Sequence, residues 1–283
     1  MTARYQVGSK AFVLGEYSAL RQGPALLLSM PPWFRLESGV DLPIDYHGVA
    51  KEDPAYLYYQ AHRQEFSQAM IFEDVHAGLG GFGASSAAFA LLLQAKTQRK
   101  LGLELALESW QIYRDCHTHL PGVLPSGYDL IAQQMGGLVF IEMAKMEVQS
   151  LSWPWRDVEL LFVHTGTKVK THQHLAALNS DLDFSDLAAG VYQAKEAILQ
   201  GSLPDFAKAL QQYHAALKAK GLVAAHSDRL QQQLQEWEGV LAVKGCGALA
   251  ADLLCLLVRS EKVAALEKVL RSKFPAVIHV DLN

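Results

Sequence analysis

The run Gly78-Leu79-Gly80-Gly81-Phe82-Gly83-Ala84-Ser85-Ser86-Ala87 constrains this chain more than any other stretch. Glycines at 78, 80, 81 and 83 oppose both helix and strand, because each loses more backbone freedom than other residues on ordering. Before the run, Ala69 to Phe72 is short and apolar. After it, Ala84 to Lys100 is rich in alanine and leucine and reads as a helix. Its basic residues Lys96, Arg99 and Lys100 fall at its end, where the helix dipole favours cations. A glycine loop opening a helix lets bare N–H groups converge on an anion, and the hydroxyls of Ser85 and Ser86 can reach a phosphate or Mg²⁺. No G-x-x-x-x-G-K-[ST] occurs, so the common P-loop is excluded. On its own the run also describes a flexible turn before an ordinary helix.

The rest of the chain mixes short apolar runs with helical stretches. Ala11–Leu14, Ala25–Met30, Leu138–Met143, Val158–His164, Val240–Val243 and Ala276–Leu282 read as strands, the second ending at Pro31-Pro32. Leu103–Thr118, Tyr128–Gln134, Phe184–Leu199, Pro204–Lys220, Ser227–Trp237 and Glu261–Lys273 read as helices. Ala251–Val258 fits either state. Trp153-Pro154-Trp155 breaks both periodicities and marks a boundary, giving domains of residues 1–152 and 153–283 in an α+β chain.

Composition narrows the function classes. A formal charge of -4 offers no excess of cations for a nucleic-acid backbone, so no nucleic-acid partner is expected. Three dispersed cysteines, Cys116, Cys246 and Cys255, argue against a disulfide framework and for the cytoplasm. Ala248–Val258 is too short to span a bilayer and contains Asp252, so no membrane partner is expected either. Cys116-His117-Thr118-His119, with His164, His172 and His174 elsewhere, lacks the paired spacing of a structural zinc site.

Four segments in fixed order resemble the GHMP superfamily of small-molecule kinases. Gly8-Ser9-Lys10 through Gly15-Glu16-Tyr17, followed by Gly23-Pro24-Ala25-Leu26, is similar to the first motif, with Ser9 where glycine usually precedes the lysine. Gly83 to Ala87 resembles the phosphate loop, Pro125-Ser126-Gly127-Tyr128-Asp129 the Ser-Gly-x-Asp motif, and Lys244-Gly245-Cys246-Gly247-Ala248 the third, glycine-rich motif. Ala248, Leu249 and Ala250 stand where that motif has more glycines.

The resemblance implies a two-domain GHMP-kinase-like fold, an N-terminal mixed α/β domain and a C-terminal ferredoxin-like domain, acting on ATP and Mg²⁺ as a monomer or homodimer. It implies Asp129 and Lys10 as catalytic residues, and Gly80, Gly81, Gly83, Ala84, Ser85 and Ser86 as the nucleotide loop. Ser85, Ser86 and Asp115 would face the metal, Asp115 being the nearest carboxylate on the helix preceding Asp129. Glu16, Tyr17, Ser126, Gly127, Gly245 and Gly247 would line the substrate side, with Glu16 fixing substrate or loop geometry. Lys168 and Lys170, in a Thr-Gly-x-Lys segment, would meet a carboxylate or phosphate of a small-molecule substrate. Gly15-Glu16-Tyr17 and Tyr128 before the aspartate look like the phosphomevalonate kinases of isoprenoid synthesis, with the mevalonate kinases as the alternative. A catalytically silent metabolite-binding relative and the ATP-consuming diphosphomevalonate decarboxylase are the rival readings.

Overall fold

The computed structural model describes residues 2–76, 78–118, 124–167 and 182–282. They form α-helices and two sheets, one of six strands and one of four, the mixed architecture expected. Residues 1–10 and 29–136 make one compact unit, and residues 11–28 and 137–283 the other. Strands β1 (Ala3–Leu14) and β2 (Ala25–Ser38) each contribute to both units.

In the first unit, Arg35–Ser38 of β2 pairs antiparallel with β4 (Met70–Glu73), and β3 (Tyr46–His47) pairs parallel with β4. β2 runs on past the expected stop at Pro31-Pro32. Residues 31–33 are exposed, and alternation resumes with buried Phe34 and Leu36 either side of exposed Arg35, the period-two signature of a half-buried strand. Four helices complete the unit: α1 (Pro54–Ala61), α2 (Ala84–Thr97), α3 (Leu103–His117) and α4 (Tyr128–Met135). Ala87 to Leu93 of α2 are all buried, so this helix is the unit's core rather than an amphipathic cover. The sequence pattern misses α1, although Asp53-Pro54 carries the cap-then-proline signal of a helix start.

In the second unit, β5 (Gly137–Glu142) pairs antiparallel with β6 (Glu147–Leu151). The link to β7 (Val158–His164) holds Trp153-Pro154-Trp155, so that punctuation lies inside this unit. Then come α5 (Ser185–Gln200), α6 (Leu203–Ala219), α7 (Ala225–Gln235), β8 (Val240–Cys246), β9 (Leu253–Arg259), α8 (Ser260–Arg271) and β10 (Ala276–Val280). The four-stranded order β10-β7-β9-β8, antiparallel throughout, is that of a ferredoxin-like sheet. The ambiguous run after Ala251 is the central strand β9, buried on both faces from Leu253 to Val258, which hides the alternation that would identify it. Leu161, Val163, Leu254 and Leu256 meet Val263, Leu266 and Leu270 of α8 in the core.

Cys116, Cys246 and Cys255 are free thiols. Among the described residues no helix is long and apolar enough to cross a membrane.

Candidate active site

The glycine loop is built in the first unit from the backbone outward. The Asp74 carboxylate accepts the His76 and Gly78 amides at 2.9 and 3.0 Å, and the Leu79 amide donates to the His76 carbonyl, so the loop opens as an ordered turn. Gly80 and Gly81 are half-buried along it. Phe82 is 1% exposed, and its carbonyl accepts the Lys10 amide at 2.9 Å.

Gly83 then takes φ +88° at the N-cap of α2. A Cβ there would lie 2.8 Å from Lys10 Cγ and 3.0 Å from Gln133 Nε2, so both conformation and space require glycine. Its carbonyl accepts from Gln133 Nε2, Ser86 Oγ and the Ala87 amide. The Ser86 hydroxyl thus donates back within the first turn and caps none of its N–H groups, while Ala84 and Ser85 begin α2, where helix geometry provides N–H groups with no intrahelical acceptor. Gly83→Ala is expected to destabilise the fold by about 1–2 kcal/mol, the cost of a left-handed backbone to a residue with a Cβ, as read by urea unfolding.

Lys10 and Asp129 meet beneath this loop. Lys10 Nζ lies 3.1 Å from Asp129 Oδ2, with the lysine side chain 10% exposed. Asp129 sits in the first turn of α4, where the helix N-terminus attracts negative charge. Its other oxygen, Oδ1, is buried and has no hydrogen-bond partner among the described residues. A buried acceptor left open in this way is costly unless something donates to it.

The turn before α4 is clamped by α3. Trp110 Nε1 donates to the Ser126 carbonyl at 2.7 Å, and Arg114 donates to the Pro125 carbonyl at 3.0 Å. Gly127, at φ +71°, faces the Trp110 ring, which a Cβ would approach to 2.7 Å. The Ser126 hydroxyl accepts the Tyr128 amide. Trp110 and Arg114 are missed by sequence reasoning, since nothing at their positions signals a contact with a loop still to come.

The carboxylates are arranged differently from the expectation for Asp115. That side chain is exposed on α3 and accepts from Gln111 Nε2 at 2.9 Å. The carboxylate near Ser85 is Asp53, the N-cap of α1, which accepts the Ala55 amide at 2.8 Å and whose charged form the Ser85 hydroxyl favours. Burial pushes the Asp53 carboxyl up from the usual range, against the opposing pull of these bonds and of His117. Burial likewise raises the Tyr113 phenol, and the charges of Asp129 and Asp53 add to it, so both carboxylates share the surroundings of Tyr113. Among the described residues no cluster of three or more metal-ligating side chains occurs.

The remaining expected residues belong to the second unit. Glu16 is an ion-pair partner: Lys244 Nζ lies 2.7 and 2.9 Å from its two oxygens, with side chains 0% and 5% exposed. Tyr213 donates to Glu16 at 3.3 Å and accepts the Gly15 amide at 2.9 Å. The Tyr17 hydroxyl accepts the Leu249 amide, and burial raises its phenol. The Gly245 amide donates to Gln231, and a Cβ at Gly245 would meet Ala250 Cβ at 2.4 Å. Gly247 turns at φ +83°, and Leu249 and Ala250 take φ 54° and 53°, a left-handed backbone where the resembling motif has glycines. Lys168 and Lys170 lie outside the described residues.

No family model and no curated protein matches this sequence. Solved structures do. Galactokinase from Lactococcus lactis, complexed with galactose, superposes with a TM-score of 0.79 at 13% identity, over 99% of this chain and 93% of that one. Mevalonate kinase from L. major, in complex with R-mevalonate, gives 0.72 at 17% identity, over 99% and 95%. Streptococcus pneumoniae phosphomevalonate kinase, in complex with phosphomevalonate and AMPPNP, gives 0.75 at 13% identity, over 98% and 100%. The fold is that of the GHMP-family kinases.

Proposed function

We propose that this chain is an ATP-dependent phosphotransferase that moves the γ-phosphoryl group to phosphomevalonate. The observation that carries the reading is the Lys10–Asp129 pair under the Gly83 turn, with Asp129 Oδ1 buried and open. Phosphoryl transfer asks a protein mainly for positioning and charge stabilisation, and this corner of the first unit supplies both. The N–H groups at the start of α2 hold the phosphates, the Lys10 ammonium offsets charge on the moving group, and Asp129 Oδ1 orients the acceptor oxygen. The acceptor class rests on the Gly15-Glu16-Tyr17 and Tyr128-Asp129 likeness and on the similarity to the phosphomevalonate complex.

Hard oxygen donors suit Mg²⁺, and the Ser85 hydroxyl beside the Asp53 carboxylate provides them in the first unit. Ser85 and Asp53 would hold the ion, which when bound shields the negative charge of the phosphates. Asp53 serves this role better than Asp115, because it lies near Ser85, whereas Asp115 is exposed and engaged by Gln111.

An ATP-consumption assay with Mg²⁺ tests the reading against phosphomevalonate, mevalonate, homoserine and galactose, with analysis for carbon dioxide. Turnover with phosphomevalonate and no carbon dioxide is the expected result. ATP at 100 times its Kd should also stabilise the fold by about 2.7 kcal/mol. Stabilisation by ATP without turnover of any acceptor would leave a silent nucleotide-binding protein, and neither effect would end the assignment.

A further inference from the structure

We propose that His76 is a positioning residue that holds the phosphate loop in register with Lys10, acting through Ser9 and Phe82. The inference rests on the kinase reading and adds to it a residue outside the four motifs.

Ser9 is 0% exposed, and its hydroxyl lies 2.6 Å from the Pro32 carbonyl and 2.6 Å from His76 Nε2. A hydroxyl has one proton, and a proline carbonyl can only accept. Ser9 therefore donates to Pro32, and His76 donates its Nε2–H to Ser9. The imidazole, in a residue 7% exposed, lies flat on the Phe82 ring, with centroids 3.9 Å apart and planes 11° apart. Phe34 meets its edge at 5.5 Å and 64°. The His76 backbone is held by Asp74 and Leu79.

The result is a closed circuit around the loop. Ser9 and Lys10 are neighbours on β1. The Ser9 side chain grips His76, His76 backs Phe82, the Phe82 carbonyl takes the Lys10 amide, and Gly83 packs on the Lys10 stem. Removing the ring opens one face of Phe82 and lets residues 80–83 shift relative to Lys10, while Asp129 keeps its own place. Nucleotide affinity suffers first, chemistry later. Ser9 stands where the resembling motif has glycine, so this bracing belongs to this chain's own sequence.

The test compares His76→Ala, His76→Gln and Ser9→Gly with the wild type by KM and Kd for ATP, kcat at saturating ATP, and melting temperature. His76→Ala is expected to raise KM and Kd for ATP at least about tenfold with kcat within about threefold, since the effect is one of ordering a binding loop. Ser9→Gly, which deletes only the hydroxyl side chain, should raise both in the same direction. His76→Gln, which keeps an N–H donor, should recover part of the loss. Should His76→Ala not fold, the Ser9 and glutamine variants carry the comparison. ATP constants unchanged in folded variants, whatever their melting temperatures, would overturn the proposal. A wild type that binds no ATP would instead sink the kinase reading beneath it.

Discussion

Asp129→Asn is expected to lower kcat at least about a hundredfold while leaving Kd for ATP within about twofold, the range a positioned acid–base or orienting group contributes. The substitution is nearly isosteric, so the α4 turn and its clamp by Trp110 and Arg114 should survive. What disappears is the charge opposite Lys10 and the lone pairs of Oδ1. The acceptor class shows in the residual rate. A hydroxyl acceptor must lose a proton, so the variant's rate should climb with pH. A phosphate acceptor, whose second pKa is about 6, is already ionised at pH 7, so the residual rate should be flat above it. Steady-state kinetics with ATP and phosphomevalonate from pH 6 to 9 read both effects. Near-normal turnover would remove Asp129 from the chemistry.

How much of this was legible beforehand follows from where the interacting residues lie in the chain. The Gly83 turn and the start of α2 could be read directly, because a glycine-rich loop and its helix are local in sequence. Lys10 and Asp129 are 119 positions apart, and only their resemblance to ordered motifs, not any spacing, pointed to the pairing found at 3.1 Å. Asp53 escaped notice although its Asp-Pro signal was present, because a helix cap says nothing of a second partner at Ser85. His76 escaped for a similar reason: a single histidine before a glycine run carries no pattern, and its meaning lies in Ser9, Phe34 and Phe82 around it. The strand β9 was ambiguous because a segment buried on both faces has no polar phase to read.

The same limit applies to Glu16 and yields the largest stability effect expected here. From sequence, Glu16 was a residue fixing either substrate or loop geometry; its carboxylate is engaged by Lys244, 228 positions away, inside the second unit. Lys244 has 0% exposure and its ammonium also lies 5.2 Å from the Tyr213 ring centroid, so it is paired on one side and faces an aromatic on another. Taking two charges out of water is expensive, and the pair approximately offsets that cost only while both members remain. Lys244→Ala strands a buried carboxylate and should destabilise the fold by about 3–5 kcal/mol. The double variant Glu16→Gln/Lys244→Met removes both charges and keeps much of the volume, so it should recover more than half of the loss, as buried pairs replaced together do. Urea unfolding of the wild type and these two variants measures this directly through the midpoint and slope. If Lys244→Ala costs less than about 1 kcal/mol, the range of an exposed ion pair, the carboxylate is relaxing into solvent and the buried pair is not what anchors Gly15-Glu16 to β8. If the double variant is as unstable as the single one, packing rather than stranded charge is the cause.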